Sequence, residues 1–512
     1  MVVALVPYPA RARAGRPWRA EDIKDNPFTL GVASGDALPD SVVLWTRLAP
    51  RPYEPGQGLP QTGSVPVDWE VAEDEKYSRV VGRGTVQADA RDNYSVHVDA
   101  RGLSPARTYW YRFRTGGWTS PTGRTRTTPA TTATVARMRL GLTSCQQYDE
   151  GYYTAHQHLA GEDLDAVFFV GDYIYENAIG PQAGSRVYTG DRRLPEVFGH
   201  ECVTLDDYRL RYALHKSDPD LQAAHAAHPW YVTWDDHEVE NNYAGAVSQD
   251  AVPPAQFLQR RAAAYQAYWE NMPLRPDRRP NGSALPLYRR FHFGRLAQFD
   301  ILDTRQYRDD QAYGDGWRQP GPESENPSRT LLGAQQEGWL YAGFGSSTAT
   351  WNVIPQQVAF CRRRLSAQGS PLSMDAWDGY PANRTRLLQA ARTAGITNLM
   401  VLSGDSHINL AMDIKDDFDN PASATRGVEI LGTSTSSGAD GLEKPEDWEA
   451  LLRVNPHMKY YAKRRGHVVI TLTPTEARAD FRTLPYVTRP GAPITTTASL
   501  ICPASHPGFT PA

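Results

Sequence analysis

The sequence has no run of about 18 or more consecutive apolar residues, so no segment is long enough to cross a bilayer as a helix. It has no long basic run, and its formal net charge is only −4, which argues against nucleic acid as a partner. Only four cysteines occur in 512 residues (Cys145, Cys202, Cys361 and Cys502), and no two form a CxxC pair. That spacing argues against a zinc ribbon or a redox dithiol. A disulfide between Cys202 and Cys361 is an option for an exported chain, but spacing does not establish pairing. There is no internal repeat and no low-complexity tract. A secretory leader places its charges before a long apolar run. Here a brief apolar run over residues 1–6 comes first, and Pro7, Pro9, Arg11, Arg13 and Arg16 follow. The expectation is a flexible lead-in over 1–27, with either cytoplasmic residence or an export signal outside this sequence.

What is present suits a globular protein, with 40% hydrophobic and 22% charged residues. The length exceeds what one core usually supports, so two domains are expected. From residue 28 to 128 the text is all-β. Segments 41–48, 65–72, 95–99 and 108–114 read as strands, several with apolar and polar residues alternating. Gly102-Leu103-Ser104-Pro105 followed by Tyr109 resembles the tyrosine corner of immunoglobulin-like sandwiches, which run to roughly 100 residues. The Thr-, Pro- and Arg-rich text that follows lacks apolar periodicity and marks a linker, set at 129–137. A larger domain is expected over 138–485, and a Pro- and Thr-rich tail over 486–512. That tail either lies across a site or is loose.

The larger domain opens with a strand ending at Cys145, then a helix over 153–161, then a strand over 165–170. That is one βαβ unit. Further buried strands cover 229–234 and 398–402, and helices are expected at 205–215, 256–270 and 384–393. Ligands in open α/β sheets bind at the carboxyl ends of strands. Four strand ends carry metal-ligand chemistry: Cys145; Asp172 with Tyr175; Asp236 with His237; and Asp405 with His407. Taken singly, each has an ordinary explanation as a helix cap, a core thiol or a satisfied polar contact. Recurrence at successive strand exits is what points to a site. Carboxylates brought together repel and raise one another's pKa, and a cation removes the conflict. Thiolate, phenolate and imidazole suit a highly charged transition metal, ferric iron above all. Carboxylates with amide oxygens suit calcium, magnesium or manganese. Two nearby cations bind phosphate, activate water and stabilise a leaving oxygen.

Six stretches, in order, resemble a known family: Phe28-Thr29-Leu30-Gly31-Val32-Ala33-Ser34-Gly35-Asp36, Val43-Leu44-Trp45-Thr46-Arg47, Ser144-Cys145-Gln146, Gly171-Asp172-Tyr173-Ile174-Tyr175-Glu176, Trp234-Asp235-Asp236-His237-Glu238 and Ser403-Gly404-Asp405-Ser406-His407. They look like the PhoD-type alkaline phosphatases, a family with close relatives described as phospholipase D. The likeness spans nearly the whole chain, from about Phe28 to the strands near Thr471. It implies an α/β metallophosphoesterase-type core, sheet layers flanked by helices, preceded by an all-β immunoglobulin-like domain. In the wider superfamily the strand ends carry D-x-H, GD-x-x-D, GNH-[DE] and GH-x-H. Here Cys145, Tyr175, Asp236 and Asp405 replace members of those motifs, as PhoD-type proteins do. The resemblance implies ferric iron held by Cys145, Asp172, Tyr175 and His407, and calcium held by Asp172, Asp236 and Asp405. Asn241 is a secondary candidate near the second cation.

The implied reaction is attack of a metal-activated hydroxide on a phosphate ester, with His237 stabilising the transition state or protonating the leaving group. Arg260 and Arg261 are read as a solvated helix face rather than a phosphate clamp. The implied location is extracellular, reached by the twin-arginine route. Two rival readings are carried: a phospholipase D-type phosphodiesterase with peripheral lipid contact, and a non-catalytic, calcium-stabilised surface binding protein. The sequence leaves the oligomeric state open.

Overall fold

Side-chain alternation along two short strands sets the layering. In the Ala166–Val170 strand, Ala166, Phe168 and Val170 face one core, while Val167 and Phe169 face another. In the Leu399–Ser403 strand, Met400 and Leu402 join the first core, while Leu399 and Val401 face a third. Both strands are buried on both faces, which is why each reads as an unbroken apolar run. The shared core lies between two sheets packed face to face, with Phe168 stacked on Phe299 at a centroid distance of 4.8 Å. Helices Thr154–Ala160, Leu205–Lys216, Pro219–Ala227 and Pro254–Asn271 cover the outer face of the first sheet. Helices Gly333–Ser346 and Pro381–Thr393 cover that of the second. The result is a four-layer helix–sheet–sheet–helix arrangement, seen in a computed structural model that describes residues 19–180, 186, 194–365 and 371–512. Residues 1–18, and with them Arg11, Arg13 and Arg16 of the expected lead-in, lie outside the described residues.

Within the first sheet, Met138–Thr143, Ala166–Val170 and Pro229–Thr233 run parallel. Within the second, Ala297–Ile301, Trp351–Pro355, Leu399–Ser403 and Thr425–Leu431 run parallel. A parallel bridge between Ser144 and Ser434 ties the carboxyl ends of the two sets to one rim. This rim is where the fold gathers its chemistry.

The N-terminal strands form one sheet of their own from Ser64–Ala72, Val80–Asp89, Thr108–Thr115, Trp118–Thr119 and Gly123–Arg126. The tyrosine corner forms as expected: the Ser104 N–H donates to Tyr109 Oη at 2.8 Å. Strands Val32–Gly35, Ser41–Arg47 and Ser95–Arg101 do something the sequence did not announce. They extend the first core sheet, with Val32–Gly35 pairing parallel to Pro229–Thr233. The Trp45 indole donates to the Glu270 carbonyl at 2.9 Å, and Arg47 to Asn271 at 2.7 Å, both buried. The all-β module is therefore welded to the core by backbone pairing.

Two expectations are corrected. All four cysteines are free and buried. Cys202 lies in the core outside the first sheet and Cys361 in the core outside the second, so two sheets separate the thiols. The tail is not loose, and its first residues pack beside loops 146–152 and 436–440: the Val487 carbonyl accepts from the Tyr152 N–H and the Val487 N–H donates to Asp440, each at 2.7 Å. Thr495–Pro503 pairs with Glu476–Thr483, and Thr510–Pro511 closes that edge of the first sheet.

Tyr109→Phe removes the corner bond while keeping the ring's packing. It should lower stability by about 1–2 kcal/mol, read as a fall in the thermal midpoint. An unchanged midpoint would show that the corner contributes nothing.

Candidate metal centre

Three of the strand exits at the rim turn sharply, after Met138–Thr143, Ala166–Val170 and Leu399–Ser403. Cys145 (φ 54°), Asp172 (φ 58°), Asp405 (φ 62°) and His407 (φ 54°) all adopt the left-handed region. Non-glycine residues visit it at a cost, and such strain gathers at functional sites. Here neighbouring backbone enforces it. The Cys145 and Gln146 N–H groups donate to the Gly171 and Asp172 carbonyls, each at 3.0 Å, and the Gly404 N–H to the Gln357 carbonyl at 2.7 Å. Two glycines permit the close approach. A Cβ on Gly171 would collide with Asp235, and one on Gly404 would sit 2.6 Å from Ser144 Oγ.

These turns bring the expected residues together. Cys145, Asp172 and His407 place ligand atoms within 4.8 Å of one another. So do Asp172, Asp236 and His237, and so do Asp235, Asp236 and Asp405. Asp172 and Asp236 each belong to two groups, so the three merge into one pocket. Tyr175 joins it: its Oη donates to Asp172 Oδ2 at 2.9 Å and lies 3.1 Å from His407 Nε2. Ser437 Oγ donates to the same phenol at 2.8 Å.

Asn241 stands beside the pocket, its backbone N–H donating to Glu176 at 2.8 Å and its side-chain amide to Gln249 at 2.5 Å. Its neighbour Asn242 instead donates its backbone N–H to Asp236 Oδ2 at 2.7 Å. Arg260 and Arg261 are buried rather than solvated. Arg260 pairs with Glu240 at 2.7 Å and Glu201 at 2.5 Å, and Arg261 donates to the Gly245 carbonyl. They brace the helix and do not reach the pocket's carboxylates.

Several residues of the pocket were not foreseen. Asp235 completes the third ligand group. Arg305, fully buried, donates through Nε to Asp235 at 2.5 Å and through Nη1 to Asp375 at 2.7 Å, with Nη2 3.5 Å from Asp236. It follows the Ala297–Ile301 strand, so a search of every strand exit would have reached it. Glu238 accepts backbone N–H groups from Tyr173 (2.6 Å), Asp235 (2.8 Å) and Asp172 (3.2 Å), pinning two ligand loops to each other. Glu176 accepts from His237 Nδ1 at 2.7 Å, which leaves Nε2 uncommitted.

The pocket's electrostatics are those of anions held together out of water. Burial first, then mutual repulsion, holds the Asp172 and Asp235 carboxyls well above the usual range and Asp405 at about 6. Burial, then Asp172, pushes up the Cys145 thiol and the Tyr175 phenol. Burial, then Arg465, lowers His407 to about 3. Burial opposes charge on His237, but Glu176, Asp236 and Asp172 outweigh it and raise that imidazole well above its ordinary value. Asp172 Oδ1, Asp235 Oδ2 and Asp236 Oδ1 are buried with no hydrogen-bond partner. Orphaned carboxylate oxygens are expensive unless a cation satisfies them. The donor set of sulfur, phenolic oxygen, imidazole and carboxylates therefore fits bound metal.

The chain's similarities agree with this geometry. Residues 140–481 match the family described as PhoD-like phosphatase, and residues 12–129 match the N-terminal domain of that family. The chain is 49% identical over 491 residues to alkaline phosphatase D of Bacillus subtilis (strain 168), covering 96% of this chain and 83% of that protein. It superposes on a solved structure of PhoD with a TM-score of 0.91 at 48% identity, covering 96% of this chain and 93% of that one. These likenesses set aside the reading as a non-catalytic binding protein. The chain belongs to the PhoD-like phosphatase family and is a phosphoric ester hydrolase.

Proposed function

We propose that the rim binds two unlike cations and hydrolyses phosphate esters between them. Ferric iron is assigned to Cys145, Asp172, Tyr175 and His407, and calcium to Asp172, Asp236 and Asp405. The observation that carries this reading is Asp172, which stands in both the sulfur-containing group and an all-oxygen-and-imidazole group, with Oδ1 unpartnered. When bound, the cations neutralise phosphate oxygens and make water acidic enough to act as nucleophile near neutral pH.

The chain's own groups do the rest. His237 is held by Glu176 through Nδ1 and is kept protonated by the surrounding carboxylates, so its Nε2–H is placed to protonate the leaving oxygen. The ring lies 4.2 Å from that of Tyr175, which limits its swing. Arg305 restrains Asp235 and Asp236 and balances part of their charge. Ser437 supports the oxygen of Tyr175 when its proton is lost. An extracellular location, inferred from the family likeness alone, is part of the proposal. Assaying culture medium and cytoplasm separately tests it, and activity confined to the cytoplasm would contradict it.

One observation favours the phospholipase D-type alternative. Trp317 is an exposed apolar side chain two residues after Asp315, which accepts from the Asn242 side chain beside the pocket. Lipid contact at the mouth is thereby a second reading. A panel of p-nitrophenyl phosphate, bis-p-nitrophenyl phosphate and phosphatidylcholine separates the two. The first two should be cleaved faster, and fastest turnover of phosphatidylcholine would favour the alternative.

His237→Ala should lower turnover by about 10²–10⁴-fold with iron and calcium content retained. Parallel kinetics and elemental analysis check this, and loss of metal together with activity would make His237 a ligand instead.

A further inference from the structure

The segment after the Trp351–Pro355 strand carries three successive arginines, and they differ in their partners. Arg362 pairs with Asp419 at 2.6 Å, and Arg364 pairs with the same carboxylate. The Arg363 side chain forms no ion pair and donates no hydrogen bond among the described residues. Its backbone is fixed: the Arg363 N–H donates to Asp378 at 3.0 Å and the Arg364 N–H to Asn455 at 2.8 Å. Its guanidinium lies over the indole of Trp317, 5.7 Å from the ring centroid. It is within electrostatic reach of Asp405, a residue of the metal pocket.

Trp317 is itself wired to the pocket. Two residues before it, Asp315 Oδ2 accepts from the Asn242 side chain at 2.7 Å, and the Asn242 N–H donates to Asp236. The indole is 38% exposed, so it stands at the outer mouth rather than among the ligands. An arginine seated on an aromatic face uses the face of its guanidinium and leaves the in-plane N–H groups free for an anion. The scissile phosphate belongs with the carboxylate cluster further in. The group that faces the mouth is the alcohol part of the ester.

We propose that Arg363, seated on Trp317, binds a second negative charge on the leaving-group side, so that esters whose alcohol carries a phosphate or carboxylate are preferred. This rests on the phosphoesterase reading and specifies its substrate class.

Two matched pairs test it: propyl phosphate against propane-1,3-diol bisphosphate, and phenyl phosphate against 4-carboxyphenyl phosphate. The wild-type chain should favour the charged member of each pair by about tenfold in kcat/KM, the worth of one charge-assisted contact. Arg363→Ala should bring both ratios to about one, and Arg363→Lys should restore part of the preference. Because each readout is a ratio within one protein, a poorly folding variant does not imitate the result. A preference for the bisphosphate alone would narrow the ligand to phosphate, and for the carboxylate alone to carboxylate. Ratios near one in the wild type, or ratios unchanged in Arg363→Ala, would overturn the proposal while leaving hydrolysis intact. No hydrolysis of any of the four esters would instead remove the reading beneath it.

Discussion

Asp172 is the residue on which the rest of the structure depends. It is buried, it sits in a left-handed turn, and it belongs to two ligand groups at once. Three further aspartates, Asp235, Asp236 and Asp405, crowd the same pocket, and among the described residues only Arg305 meets two of them directly. Buried charges that lack partners are strongly unfavourable, and one guanidinium with the protonated His237, itself bonded to Glu176, does not offset four carboxylates. The pocket is thus a place where the chain gives up stability to keep anions together. That cost makes physical sense when the partner of those anions is a cation taken from solution.

The fold makes the crowding geometrically feasible. Parallel strands of two facing sheets end on one rim, and the Ser144–Ser434 bridge joins the sheets where their chemistry begins. Gly171 and Gly404 let neighbouring loops touch where any side chain would hold them apart. Glu238 then locks two of those loops by their backbone N–H groups, so its role is to position Asp172 and Asp235. Behind the rim, aromatic packing of Trp230, Trp234, Tyr265 and Phe169 fills the layer between the first sheet and its helices. The N-terminal module stiffens the far edge by adding strands to that same sheet.

Much of this was legible because it is local. Apolar runs ending in Asp, Cys or Asp-x-His mark strand exits wherever they stand, and Tyr109 after a Gly-Leu-Ser-Pro turn announces its corner by spacing. What escaped was non-local or masked by composition. Arg305 looks like any arginine until the fold sets it against Asp235, about seventy residues away, a contact no periodicity encodes. Asp235 shares a dipeptide with Asp236, and sequence does not say that both carboxylates face the pocket. The Gly333–Ser346 helix contains Gly333, Gly338, Gly343 and Gly345, and such poor helix formers hide it. Gly343 is there because the Arg290 guanidinium occupies the space a side chain would need. The parallel pairing of Val32–Gly35 with Pro229–Thr233 joins segments nearly two hundred residues apart and has no local signature.

The central claim is that two unlike cations fill this pocket, one of them ferric iron bound through Cys145 and Tyr175. Elemental analysis of the purified protein, taken with its visible absorption spectrum, tests it most directly. The account predicts iron and calcium in stoichiometric amounts and a visible charge-transfer band that Tyr175→Phe shifts or abolishes. A colourless, iron-free protein that cleaves phosphate esters at full rate after calcium is chelated would contradict it.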